Sequence, residues 1–486
     1  MSIRVVVRYL GLILAIFGAF LLFPLFWSAI VARDGAYLSF VIPIVIALPG
    51  GLLLFRYSPV ERRSLSRREG LALVTCTWLV GSMLGALPYM ISGVLPAFAD
   101  AFFETMSGFT TTGATVLVTV GKQPESILLW RNYSQWIGGM GIITFFVALF
   151  PVLGIGAARL FEAEMPGPQT ERLRTRMVDT ARALWILYLV LTTVLYVVLR
   201  VGANVPVFDS LMVTLATMPS GGFLHLHESM SAYVDTPFVT SVVTLFMLMT
   251  GMNYALYFAL LKRRRLGVLW ESREVRAYLS IFVLAAVVVI LDLVTRARLP
   301  FIEALQLGTF QVASILTTTG FTIADYDLWP HASKAVLLGL MLVGGCAGST
   351  AGGFKVIRLL VLAKFSFRNV VSSYSPRSVV PLRVGNDTVP ESMISAVAGM
   401  GALLALLLLG GFLFMSALGL DTVTAFVSVL AAVGIIGPGL GGVGPAQNYA
   451  FIPAAGKIVL SLLMLVGRLE FVTVLALVSR SFWKWR

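Results

Sequence analysis

Four short stretches of this chain carry glycines, three of them beside hydroxyl side chains, at spacings that suit cation chemistry. They read Thr110-Thr111-Thr112-Gly113-Ala114-Thr115, Pro219-Ser220-Gly221-Gly222-Phe223, Thr317-Thr318-Thr319-Gly320-Phe321-Thr322 and Gly434-Ile435-Ile436-Gly437-Pro438-Gly439. The chemistry open to such residues is ligation by neutral oxygen. Glycine reaches backbone conformations that a Cβ obstructs, and rings of carbonyl oxygens can replace the hydration shell of a cation. Thr hydroxyls can add further oxygens at the inner mouth. With no carboxylate cluster, such a site suits a weakly hydrated monovalent ion better than calcium or magnesium.

Each stretch follows a semi-apolar piece, at about 97–109, 207–217, 301–316 and 421–433. These pieces are too short for a bilayer crossing, which takes about 20 residues, so they predict re-entrant helices. Their C-terminal, partially negative ends would favour a cation. The first and third copies match at every spacing: Phe103-Glu104-x-x-Ser107 before Thr110, and Phe310-Gln311-x-x-Ser314 before Thr317. Another glycine recurs deep in the span after each one: Gly138, Gly251, Gly344 and Gly467. The repeating unit is therefore span, short helix, glycine turn, span. Non-helical backbone survives at membrane depth only where it lines water or ions.

The elements that must position these turns are membrane spans. Of 486 residues, 58% are apolar and 12% charged, against about 25% charged in soluble domains. That excludes a large soluble enzyme and a disordered chain. The sequence predicts ten spans, at about 8–31, 37–56, 70–92, 126–150, 182–203, 237–261, 277–296, 333–363, 393–418 and 454–479. Basic residues outnumber acidic ones 36 to 23. They concentrate in the termini and in the links around Arg56–Arg68, Arg159–Arg182, Lys262–Arg276 and Lys355–Arg383. The positive-inside rule makes those segments and both termini cytoplasmic. The expected fold is an all-α polytopic membrane protein with a pseudo-four-fold pore. A two-span preface at 1–69 precedes pore repeats at 70–158, 159–265, 266–383 and 384–486. Cys76 and Cys346 stand alone and imply neither a disulfide framework nor a metal site.

Five glycines within Gly344–Gly353 should break the third inner span below the turns, because glycine costs about 1 kcal/mol in a helix interior relative to alanine. The gate expected there comprises Gly344, Gly345, Gly348, Gly352 and Gly353, followed by Lys355, with Arg468 beside it. A charge in mid-span must face water or a partner. Arg468 is expected to bond carbonyls of this loop and to oppose cations while the gate is shut; a salt bridge to Glu470 is the alternative. Close helix packing through small residues is the competing reading of the glycines.

These features resemble the Trk/Ktr/HKT superfamily of potassium transporters over essentially the whole chain. The segment Gly344-Gly345-Cys346-Ala347-Gly348-Ser349-Thr350-Ala351-Gly352-Gly353-Phe354-Lys355-Val356-Ile357-Arg358 and the preface resemble the bacterial Trk pore subunit in particular. The resemblance implies gated K⁺ uptake across a bacterial inner membrane by a homodimer under a cytosolic nucleotide-binding regulator of the Trk A type. It implies no covalent cofactor and no nucleic acid partner, only K⁺ ions in the pore. The filter positions it carries over are Thr111, Thr112 and Gly113; Ser220, Gly221 and Gly222; Thr318, Thr319 and Gly320; Ile435, Ile436 and Gly437. One departure is the second filter, Met218-Pro219-Ser220-Gly221-Gly222-Phe223-Leu224, where relatives often carry Ile-Gly-Gly-Phe-Ser. Pro219 removes an amide donor behind it, so discrimination of K⁺ from Na⁺ follows less directly than the pore itself.

Weaker signals have ordinary readings. His225, His227, Glu228 and His331 read as solvated loop residues, and Asp100, Asp209, Glu303 and Asp421, which precede or open the short helices, as caps and partners of the helix dipoles. Glu104 and Gln311 either brace the filters or merely pack, and Asn253 would line the cavity. An enzyme would need a nucleophile–base pair, and none is evident. The rival functions are a Na⁺-permeable pore and a cation-coupled secondary transporter. The latter predicts inverted halves, whereas these four units run in one orientation.

Overall fold

The computed structural model describes residues 3–58, 66–139, 141, 176–226, 228–265, 267–375, 381–384 and 387–484. The basic links around Arg62 and Arg159, the distal part of the 126–150 span and His227 lie outside the described residues.

The preface runs up through Ile3–Phe20, Leu22–Phe26 and a π-wound segment Trp27–Ala32, then returns as Tyr37–Tyr57. A Cβ on Gly11 would lie 2.7 Å from the Gly51 carbonyl oxygen, and one on Gly18 would lie 2.9 Å from the Leu48 amide. Small residues let the two backbones touch, which matters in lipid, where burial of apolar surface drives no helix association. Asp34, in the link between the two helices, accepts the Ser126 amide at 2.9 Å and ties the preface to the first inner helix. Burial alone would raise the Asp34 pKa; hydrogen bonds from Ser28, Ser126 and Ala36 outweigh it and hold the carboxyl below its ordinary value.

The same order then recurs four times. The outer helices are Arg67–Ile91, Arg176–Val197, Arg273–Thr295 and Glu391–Ala417. The short pore helices are Phe98–Phe109, Val207–Thr217, Phe301–Leu316 and Thr422–Gly434. The inner helices are Glu125–Gly139, Pro237–Thr250, His331–Val343 and Ala454–Arg468. One apolar core joins the preface to the first and fourth units, and a second joins the second and third. Outward faces carry bare aliphatics such as Leu284 and Leu406, as lipid contact requires.

Of the ten expected spans only the third inner one was expected to break, and the structure breaks others as well. Among the described residues, six helices are long and apolar enough to cross a membrane unbroken. The second, third and fourth inner spans break at the level of their recurring glycines. Pro237–Thr250 and Tyr254–Leu260 meet at a 96° bend. The third inner helix stops at Val343 and resumes at Val356–Tyr374; the fourth stops at Arg468 and resumes at Val472–Val478. Left-handed residues make these breaks, namely Gly344 and Lys355 in the third and Glu470 and Phe471 in the fourth.

Of the four acidic residues expected to cap the pore helices or match their dipoles, Asp421 caps its helix, accepting the Thr424 amide at 3.0 Å. Asp100, Asp209 and Glu303 lie in the first turns of theirs, where the dipole favours a carboxylate. The N-caps of the other three pore helices are Ala97, Pro206 and Pro300. Asp100 instead pairs with Lys457 at 2.6 Å, and Asp209 accepts from Tyr233 at 2.8 Å and bonds His225 at 2.9 Å. His225 is accordingly buried rather than solvated.

The preface contact is testable with two neighbouring glycines. Gly51→Ala drives a methyl into Gly11 and Ala15 backbone, whereas a Cβ on Gly50 meets nothing within 4 Å. Gly51→Ala should cost about 1–3 kcal/mol, a typical overpacking penalty, read as a lower midpoint of thermal unfolding in detergent, while Gly50→Ala should not lower it.

Candidate ion pathway

The first three pore helices end in the same turn, and the fourth keeps one of its two bonds, Ile436 N–H to Ala431 O. In the first, Thr111 N–H donates to Gly108 O and Thr112 N–H to Ser107 O; the second and third repeat this with Ser220–Thr217 and Gly221–Ala216, then Thr318–Ile315 and Thr319–Ser314. Those two bonds define a Schellman motif, whose left-handed residue is normally glycine. Here that position holds Thr111, Ser220, Thr318 and Ile435, with φ of 59°, 58°, 55° and 60°. A β-branched residue so placed is a strained outlier, and such strain gathers at ligand sites. Two residues on, Gly113, Gly222, Gly320 and Gly437 are left-handed again, with φ of 82°, 80°, 75° and 86°.

The four glycines form a closed cycle. A methyl on Gly113 would strike Gly221 O, one on Gly222 would strike Thr319 O, and one on Gly320 would strike Ile436 O. A Cβ on Gly437 would return to the start, 2.7 Å from Thr112 O. Four turns far apart in sequence therefore surround one axis at backbone contact. The inner-helix glycines Gly138 and Gly467 abut Phe109 O and Val433 O at the ends of their own pore helices. Pro219 lies against Gly139, and both Schellman bonds of the second turn survive it.

Buried polar side chains brace the turns from behind. Glu104 accepts Val116 N–H at 2.8 Å and Thr115 Oγ1–H at 2.9 Å, and Arg131 Nε pairs with it at 2.6 Å. Arg131 also donates to Leu224 O at 2.8 Å, over the Phe223 ring. Asn132 donates to Phe223 O, while Gln135 donates to Gly221 O and accepts Phe223 N–H. In the third unit Gln311 and Ser314 both donate to Phe321 O. Glu104 and Gln311 are thus braces. Arg131, Asn132 and Gln135 were not anticipated, although three polar residues within one apolar span were a legible signal.

Not every threonine faces the axis. Thr110 and Thr112 bond each other at 2.8 Å, as do Thr317 and Thr319. The hydroxyls left at the inner mouth belong to Thr111, Ser220 and Thr318, and the third inner helix's loop meets two of them. Gly352 N–H donates to Thr318 Oγ1 at 2.6 Å, Ser220 Oγ bonds Thr350 Oγ1 at 3.1 Å, and Gly352 abuts Ile435. Gly344 and Gly353 touch at the loop's neck, where a Cβ on Gly353 would lie 2.6 Å from Gly344 Cα. Cys346 N–H donates to Gly251 O at 2.8 Å and Tyr254 N–H to Gly348 O at 3.1 Å, so the bend at Gly251 makes the loop's seat. Asn253 faces Gly348 and caps the helix after the bend. Glu274 Oε1 gathers both limbs, accepting Ala347 N–H at 2.7 Å and Ile357 N–H at 3.2 Å.

Arg468 lies where expected. Its guanidinium donates to Thr350 O at 3.0 Å in the loop and to Gly138 O and Gly139 O at 2.7 and 2.9 Å in the first inner helix. Lys355 Nζ donates to Ala351 O. Glu470 takes Arg358 at 2.5 Å. One cavity of about 90 Å³ is lined by Gly113, Gly222, Gly320 and Gly437, and a second of about 120 Å³ by the loop, Lys355 and Arg468.

Residues 39–484 match the model of the family TrkH, cation transport protein. The chain belongs to the TrkH family. It is 38% identical to the Trk system potassium uptake protein TrkH of Escherichia coli K12, with all of both chains covered. It is 32% identical to TrkI of Halomonas elongata, covering 99% of this chain and 96% of that one. The crystal structure of the potassium transporter TrkH from Vibrio parahaemolyticus superposes with a TM-score of 0.89 at 35% identity over the full length of both.

In this TrkH-family chain the paired charges behind the first turn give a direct test. Arg131→Gln strands the Glu104 carboxylate in a site 0% exposed, and breaking a buried pair costs about 3–5 kcal/mol. Folded protein on size exclusion should drop sharply. The double variant Glu104→Gln with Arg131→Met should recover much of it, because it removes both charges.

Proposed function

We propose that this chain is the pore subunit of a potassium uptake system in a bacterial inner membrane, acting as a gated, channel-like conduit. The observation that carries this is the closed cycle of Gly113, Gly222, Gly320 and Gly437. Carbonyls at that cycle would replace water around K⁺, with Thr111, Thr112, Ser220, Gly221, Thr318, Thr319, Ile435 and Ile436 completing the filter. The preface at 1–69 and the repeats at 70–158, 159–265, 266–383 and 384–486 serve it as scaffold and pore walls. Both termini lie in the cytoplasm, and the subunit works as a homodimer.

Residues 344–353, with Lys355 and Arg468, form the gate. Arg468 holds Thr350 O against the filter and places a positive charge in the cation's path. The helix Val356–Tyr374 leads directly from the gate loop. A cytosolic nucleotide-binding regulator that moves this helix would withdraw the loop and break the bonds to Ser220 and Thr318.

Radioactive rubidium uptake into proteoliposomes tests the reading. Flux should be displaced by K⁺ at far lower concentration than by Na⁺. Equal displacement would favour a Na⁺-permeable pore, and flux strictly coupled to a counter-substrate a carrier. Gly320→Ala should abolish uptake, since its methyl strikes Ile436 O. Arg468→Ala should raise uptake without the regulator, and unchanged flux would remove the gating role.

A further inference from the structure

The residue nine positions before each filter glycine is Glu104, Val213, Gln311 and Ser428 in the four units. In the first and third it holds the backbone beyond its own turn: Glu104 accepts Val116 N–H at 2.8 Å, and Gln311 accepts Ile323 N–H at 3.3 Å. Val213 has no polar atom, and Gln135 of the first inner helix serves the second turn instead. Ser428 is the short member. Its hydroxyl donates to Ala425 O at 3.1 Å, within its own helix. The fourth turn therefore gets no brace from the position that supplies the first and third.

Tyr449 stands in its place. It arrives from the loop after the fourth turn, 2% exposed, and its hydroxyl donates to Gly437 O at 2.7 Å. Its amide donates to Thr115 O at 2.8 Å, and its ring packs 5.4 Å from Phe103 of the first pore helix. The loop that delivers it is tied down by Gly441 N–H to Asp327 Oδ2 and Gly442 N–H to Thr424 Oγ1, at 3.0 and 2.8 Å. One residue thus bridges the fourth turn to the first, the seam where the chain's last unit closes the cycle on its first.

We propose that Tyr449 is the positioning residue of the fourth filter turn and, through Gly437, a determinant of cation discrimination. This rests on the pore reading above. A carbonyl that coordinates an ion must be held at a fixed distance from the axis, and a phenol donor fixes Gly437 without adding charge. Tyr449→Phe removes the donor and keeps the ring. In proteoliposomes its preference for K⁺ over Na⁺, as displacement of rubidium uptake, should fall by about threefold to tenfold, the scale of one lost hydrogen bond. Its thermal midpoint in detergent should hold. Phe103→Leu loosens the ring packing but keeps the donor, so it should lower the midpoint and leave the preference intact. A Tyr449→Phe protein with wild-type preference, or one that loses folded protein instead, overturns the assignment. A wild-type chain without rubidium flux would remove the pore reading itself.

Discussion

Peptide carbonyls at membrane depth must be paired or face an ion, because an unsatisfied one in hydrocarbon costs several kcal/mol. Much of this molecule follows from placing four non-helical turns where that constraint is hardest to meet. Schellman bonds satisfy the helix ends, and buried donors take several carbonyls of the turns, among them Gly221 O, Phe223 O, Phe321 O and Gly437 O. The cycle leaves no room for a side chain at its glycines: a methyl on each of the four would meet a neighbour's carbonyl oxygen. The strained threonines, serine and isoleucine beside them trade backbone comfort for side chains at the inner mouth.

The same interactions hold the loop beneath the filter. Its contacts with Ser220 and Thr318 are ordinary hydrogen bonds, each worth about 0.5–1.5 kcal/mol net. Arg468 adds charge-assisted bonds, of about 1.5–3 kcal/mol each. Contacts held by a few such bonds can be released without unfolding the turns above them. The outer parts of the chain carry no such poise. There, aliphatic faces meet lipid and small residues set helix spacing.

Much of this was legible in the residues. Repetition of the hydroxyl–glycine turn gave the four units, short apolar lengths gave the re-entrant helices, and clustered glycines gave the break after Val343. Arg468 was placed by cost alone, since a lone charge in an apolar run needs a partner. Legibility failed where a residue's role depended on another unit. Arg131 and Lys457 have no acidic partner near them in sequence that explains them, yet both are buried ion-pair members, bound to Glu104 and Asp100. Glu470 stood two residues from Arg468 in sequence and pairs with Arg358 instead. The second inner span looked continuous because hydropathy sums over a bend: the chain turns by 96° at Gly251 without changing its apolar content.

Local composition thus set the unit, its four copies and its membrane setting, because span length, glycine backbone freedom and hydroxyl chemistry are properties of short segments. Tertiary structure decided which segments meet. The order of glycines around the axis, the seating of the loop between Ser220, Thr318 and Gly251, and the crossing of Tyr449 from the last unit to the first are contacts between residues tens to hundreds of positions apart. No periodicity records such a contact; it exists only once four pore helices have been brought end to end, and their shared axis is what selects the side chains that brace it.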